Sequence, residues 1–180
     1  MKILQVVHSF PPFNMAGTEV YTYNLSRELA KRHKVFIFHR INNRRQKEYE
    51  LTNTHHNGLS IYTINNTFRH CDSFEMTYRN KAIDDSFDRV LDQVKPDVVH
   101  IQHLLFLSTA LIEEIKKRNI PVLFTLHDYW LICHRGQLIK NDLTICVRSS
   151  VSECKDCLQY LLSIRKNSMY VYNMLKNRMP

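Results

Sequence analysis

Ile3-Leu4-Gln5-Val6-Val7 runs into His8-Ser9-Phe10-Pro11-Pro12-Phe13-Asn14-Met15-Ala16-Gly17-Thr18-Glu19, and this first transition decides the fold. A short, β-branched apolar run suits a strand buried on both faces. From Thr18 the period changes to that of a helix, with Tyr21, Leu25 and Leu29 recurring every four residues and Arg27, Glu28, Lys31 and Arg32 on other faces. Val35-Phe36-Ile37-Phe38 is a second buried strand. Residues 41–57 are polar and basic and read as an exposed connection, after which Leu59, Ile61, Tyr62 and Ile64 form a third strand.

The second half repeats this rhythm. Ile83, Phe87, Val90 or Leu91, and Val94 mark a helix that must stop at Lys95, because Pro96 disfavours helical geometry in the residue before it. Asp97-Val98-Val99-His100-Ile101 is a fourth strand. Leu107, Leu111 and Ile115 line another helix, closed by Lys116-Lys117-Arg118 at the negative end of its dipole. Residues 121–126 are a fifth strand that starts at Pro121, where no ladder donor is lost from the interior. A cysteine-bearing loop, 133–157, precedes a helix expected over 158–177. Strands alternating with helices imply right-handed parallel crossovers, so the expected class is α/β: a Rossmann-like doubly wound parallel sheet flanked by helices, a single domain over 1–180.

Length and composition agree with that class. The 180 residues suit one domain, and 44% hydrophobic with 23% charged residues is globular, not disordered, composition. No apolar run reaches the roughly 18 residues of a membrane span. The N-terminus lacks the pattern of a secretory signal, so the expected location is cytoplasmic. A net charge of +8 favours anionic partners without specifying them. Nucleic acid is not expected, because the basic residues are scattered and no recognition motif interleaves them with aromatics.

Doubly wound sheets bind ligands beyond the carboxyl ends of their strands, so the segments after strands one, four and five are the places to search. The loop ending at Gly17 opens a helix whose unpaired amides could hold phosphate. It is neither a dinucleotide fingerprint nor a P-loop. His127-Asp128 follows what reads as a central strand and could hydrogen-bond a polyol or phosphate. His100 and His103 flank the fourth strand. No nucleophile elbow or His-Glu-x-x-His is present.

Phe10-Pro11-Pro12, Ala16-Gly17-Thr18-Glu19, the stretch from Lys95 to His103 and the stretch from Thr125 to Cys133 resemble the N-terminal, acceptor-binding domain of a family 4 glycosyltransferase. The resemblance implies half of a GT-B fold, two Rossmann-like domains facing across a cleft, and a metal-independent retaining enzyme with a nucleotide-sugar donor. No catalytic cofactor is implied. The donor-binding C-terminal domain is absent from this sequence, so the isolated chain is expected to be inactive. On matching positions, the resemblance implies that Gly17 and Thr18 approach the donor phosphates and that His127 is catalytic, near the reacting centre. Phe10, Asn14, His103 and Arg135 fall to a carbohydrate or lipid-linked acceptor. Relatives often carry two glycines where this chain has Ala16-Gly17. The function implied is hexosyl transfer in polysaccharide or glycolipid synthesis; the alternative is a non-catalytic carbohydrate-binding or partner-subunit module. Family members with lipid-linked acceptors often sit on anionic bilayers, so Arg27, Lys31, Arg32 and Lys34, or Lys166, Lys176 and Arg178, are candidates for peripheral contact at the inner membrane face.

Cys133, Cys146, Cys154 and Cys157 are spaced x12, x7 and x2. Three states remain open from spacing: a structural zinc site, reduced thiols, or disulfides, the last disfavoured in a cytosolic chain.

Overall fold

The computed structural model describes residues 1–133, 135–147 and 150–157; the helix expected over 158–177 lies outside them. The chain divides into two compact units, Met1–His127 and Asp128–Pro180.

The first unit is a six-stranded sheet in the order β3-β4-β2-β1-β5-β6. Its strands are β1 (Lys2–Val6), β2 (Lys34–Ile41), β3 (Leu51–His56), β4 (Leu59–Asn65), β5 (Val98–Ile101) and β6 (Val122–Phe124). Its helices are α1 (Gly17–Ala30), α2 (Lys81–Val94) and α3 (Leu111–Lys117). All pairings are parallel except β3 with β4, so the sheet is mixed, not purely parallel. The expected open connection at 41–57 therefore contains an antiparallel edge strand. Its sequence, Leu-Thr-Asn-Thr-His-His, is polar because four of its six residues, Asn53 to His56, face solvent. Asn57 and Gly58 both take positive φ, 50° and 78°, which is the two-residue hairpin turn whose twist matches flanking strands.

Alternating side chains divide the core between the sheet's two faces. On one, Val7, Phe10, Val35, Ile37, Leu59 and Ile61 cluster, with Tyr23, Leu29 and Ala30 of α1 packed against them. On the other, Phe38 meets Phe87 of α2 edge-to-face at 5.0 Å between ring centroids. Helix α2 follows the sequence closely: Ile83, Phe87, Val90, Leu91 and Val94 are all buried. Its start is capped by the Asn80 side chain, which accepts from Ala82 N, and it ends at Lys95 in left-handed geometry before Pro96.

Helix α1 differs from expectation. Its fully buried residues are Glu19, Thr22 and Ser26, while Tyr21 is 46% exposed. Small hydroxyl side chains against the sheet let the helix approach closely, and Thr22 returns its hydroxyl to Thr18 O at 2.6 Å. The Tyr21–Leu25 stripe is thus turned partly away from the core.

In the second unit, Tyr129 N donates to Gly136 O, and Gly136, at φ 72°, closes the turn after Cys133. Residues 138–146 form a hairpin through the Ile139–Ile145 bridge. Residues 151–157 are helical. Ser150 Oγ accepts from Glu153 N while Glu153 Oε2 accepts from Ser150 N, a reciprocal cap on that helix. None of the described helices is long and apolar enough to cross a membrane.

Candidate functional site

Strand order reverses at β1: the chain passes from β1 to β2 on one side and later returns to β5 on the other. The crevice beyond the carboxyl ends of β1 and β5 is therefore the switch point. His8, Gln102 and His103 stand there.

A buried chain of polar side chains crosses these strands. Gln5 and His100 are register partners on β1 and β5. Gln102 Nε2 donates to Gln5 Oε1 at 2.9 Å and faces His100 Nε2 at 3.1 Å. The opposite end of the same amide, Oε1, lies 2.8 Å from Nε2 of His127. An amide oxygen only accepts, so with this orientation of Gln102 the His127 ring donates through Nε2. His100 Nε2 also meets the Thr125 hydroxyl at 2.7 Å. Burial, with the neighbouring His127, lowers the His100 pKa and keeps that ring neutral. Tyr21, one turn along α1 from Gly17, packs edge-to-face on His127 at 4.9 Å.

A second pair anchors the start of α1. The Glu19 carboxylate, 1% exposed, meets His8 Nε2 at 3.1 Å. The His8 ring packs on His103 at 4.7 Å, and His103 Nδ1 accepts from Leu105 N.

Beside these residues lies a cavity of about 430 Å³ whose lining includes His8, Asn14, Phe13, Arg40, Asn42 and Phe106. Phe13 is 63% exposed and stacks on His39. The Arg40 guanidinium lies 4.9 Å over the Phe106 ring, a cation–π contact. Burial works against the Arg40 charge and lowers its pKa, while Glu48 supports it. Glu48 itself is held by Thr67 through N and Oγ1 at 2.8 and 2.6 Å.

The residues singled out from the sequence fall into distinct positions. Gly17 opens α1, and a Cβ built on it meets nothing within 4 Å, so packing does not demand glycine there. Thr18 is half-buried beside it, and Asn14 lines the cavity. Phe10 is a core residue, 1% exposed, and not an acceptor contact: its ring fills the α1 face of the sheet, and the exposed ring in that loop is Phe13. His103 is 5% exposed, held by His8 and Leu105 N. His127 follows β6, which is the edge, not the centre, of the described sheet. Arg135 belongs to the second unit, where it donates to Asn141 Oδ1. Asp128 accepts from Trp130 N in that unit. Gln5, Gln102, Glu19 and Arg40 were not singled out; Gln5 interrupting an apolar strand was the visible signal for the first of them.

The four late cysteines line one cavity of about 290 Å³ within the second unit. Burial raises the Cys133 thiol pKa, but backbone amides of Arg135, Leu138, Gln137 and Gly136 outweigh it, leaving the thiol below its ordinary value.

The family model described as Glycosyltransferase Family 4 matches residues 15–154, most of the chain. The chain belongs to Glycosyltransferase Family 4. A Klebsiella pneumoniae protein described as an uncharacterized 42.6 kDa protein in cps region is 28% identical over 168 residues, covering 83% of this chain and 42% of its own length. This family 4 chain thus spans less than half the length of that relative. Two solved structures are also similar: an OtsA apo structure (TM-score 0.39, 14% identity) and one described as trehalose-6-phosphate from E. coli bound with UDP-2-fluoro glucose (TM-score 0.39, 16% identity). Each match covers 71% of this chain and 33% of the other.

Proposed function

We propose that this family 4 chain is the acceptor-binding half of a retaining, nucleotide-sugar-dependent glycosyltransferase, completed by a donor-binding domain outside these residues. The observation that carries the reading is the cavity at the switch point. Its size suits a sugar, since ligand pockets run to about 300–1,000 Å³. Its lining offers an exposed aromatic face at Phe13, amides at Asn14 and Asn42, and a cation at Arg40. Those are groups that stack on and hydrogen-bond a polyol. The cps-region relative supports a polysaccharide setting for the acceptor.

In this reading the amides at the Gly17 end of α1 face the donor diphosphate, whose negative charge grows as the glycosidic bond to it breaks. His127, oriented by the contact of its Nε2 with Gln102, stands near the reacting carbon of the donor sugar. Glu19 and His8 hold the helix start in place. Acceptor and donor thus meet at the carboxyl ends of β1, β5 and β6.

The test compares the chain with the complete protein. The complete protein should transfer sugar from a nucleotide-sugar panel with retention of anomeric configuration. The 180-residue chain should bind carbohydrate, by ligand-observed NMR, without turnover, and Arg40→Gln should weaken that binding. Sugar transfer by the isolated chain, or a complete protein inert toward every nucleotide-sugar, overturns the proposal.

A further inference from the structure

The described residues of the second unit have no buried core. From Asp128 to Cys157 none is fully buried, and Tyr129, Leu131, Ile132, Leu143, Ile145, Val147 and Val151 are all more than half exposed. These described residues lack the apolar burial that holds small folds together, and small units with little core are usually stapled by disulfides or a metal.

The same segment withdraws its sulfurs from water. Among the described residues from Asp142 to Cys157, Cys146, Cys154 and Cys157 alone are not exposed. They arrive from different elements. Cys146 ends the hairpin, with its N donating to Leu138 O. Cys154 and Cys157 lie three apart on the helical segment 151–157, which places them on one face. Cys133 comes from the turn closed by Gly136. All four line the single 290 Å³ cavity.

Two of the three carboxylates lining the cavity are engaged elsewhere. Asp142 Oδ1 accepts from Thr144 N and Oγ1, and Glu153 Oε2 accepts from Ser150 N. The four sulfurs line the cavity together with Asp156. No three Cys, His, Asp or Glu side chains among the described residues are already arranged to hold an ion, so binding must draw the thiols inward.

We propose that Cys133, Cys146, Cys154 and Cys157 bind one zinc ion that serves as the structural staple of the second unit. Four thiolates suit tetrahedral zinc and leave no open position, so the ion is not catalytic. Binding exchanges thiol protons for metal, with no oxidant required. None of the four cysteines is in a disulfide in the structure.

Metal analysis of the 180-residue chain, purified with reductant and without chelator, should give one zinc per chain. Cys146→Ser and Cys154→Ser should lower that stoichiometry toward zero, and Cys71→Ser should retain it. Cobalt added to the intact apo chain should give the thiolate charge-transfer and intense d–d bands of a tetrahedral sulfur site, which reads the ligands without any variant. Absence of zinc together with failure of the reduced chain to take up zinc or cobalt overturns the proposal. Metal content unchanged in both serine variants, or two disulfides in the chain denatured without reductant, does the same.

Discussion

Gln102 Oε1 lies 2.8 Å from His127 Nε2, so an amide on the segment after β5 sets the tautomer of a ring that follows β6. The Gln102 amide nitrogen donates to Gln5 Oε1, which leaves its oxygen toward His127 in this arrangement. Imidazole nitrogen shifts from ¹⁵N NMR should therefore report His127 protonated at Nε2. In Gln102→Met the same spectra should show mixed tautomers, with a stability loss of about 1–3 kcal/mol from the stranded polar partners. Transfer by the complete protein should fall while acceptor affinity holds. A His127 protonated at Nδ1 in the unmodified chain contradicts this account.

The loop after β1 separates two phenylalanines that look alike in sequence. Phe10 fills the core and Phe13 faces the cavity. Phe10→Ala should cost about 3–5 kcal/mol in urea unfolding, as large-to-small core changes do. Phe13→Ala should change stability by no more than about 0.5 kcal/mol. Carbohydrate binding by ligand-observed NMR should show the opposite ranking for Phe13, whose removal abolishes the stacking face.

Gly17 gives a cleaner separation of fold from function. It is the first residue of α1, and an added Cβ meets only open space. Alanine is a better helix former by about 0.5–1 kcal/mol, so Gly17→Ala should melt at the same temperature or higher. If donor phosphate approaches this helix end, the methyl group displaces it. Loss of one charged hydrogen bond, about 1.5–3 kcal/mol, corresponds to a roughly tenfold to hundredfold fall in transfer by the complete protein. Unchanged transfer removes Gly17 from the donor site.

Which parts of the molecule were legible follows from what each residue touches. Helix α2 could be oriented from the sequence, because most of its buried residues are apolar side chains at helical spacing and Pro96 ends it. Helix α1 could be located but not oriented: Glu19, Thr22 and Ser26 are buried by pairing with His8 or by their small size, neither of which hydrophobic periodicity registers. Strand β3 is polar and exposed, so it read as part of an open connection. His127 and Gly17 stood out by their place after a strand and before a helix. The Gln5–Gln102–His127 chain did not, because it joins residues 97 and 25 positions apart whose pairing is created by the sheet.

Acid should destabilise the first unit through His39. This ring is buried, with Nδ1 against Arg40 O and Nε2 against the Thr63 hydroxyl at 2.9 Å. Burial pushes its pKa down from 6.5 to about 4, partly offset by the bond to Arg40 O. Between those values the unfolded chain holds a proton that the folded chain does not, so stability rises with pH across the window. The contribution is complete above pH 6.5 and lost as pH falls toward 4, amounting to roughly 3 kcal/mol. The lowered His100 pKa acts in the same direction. Urea midpoints measured from pH 7 down to pH 4.5 should therefore fall, and His39→Gln, which keeps a polar partner for Thr63, should flatten the slope by close to one proton. An identical slope in the variant would place the acid sensitivity at other groups.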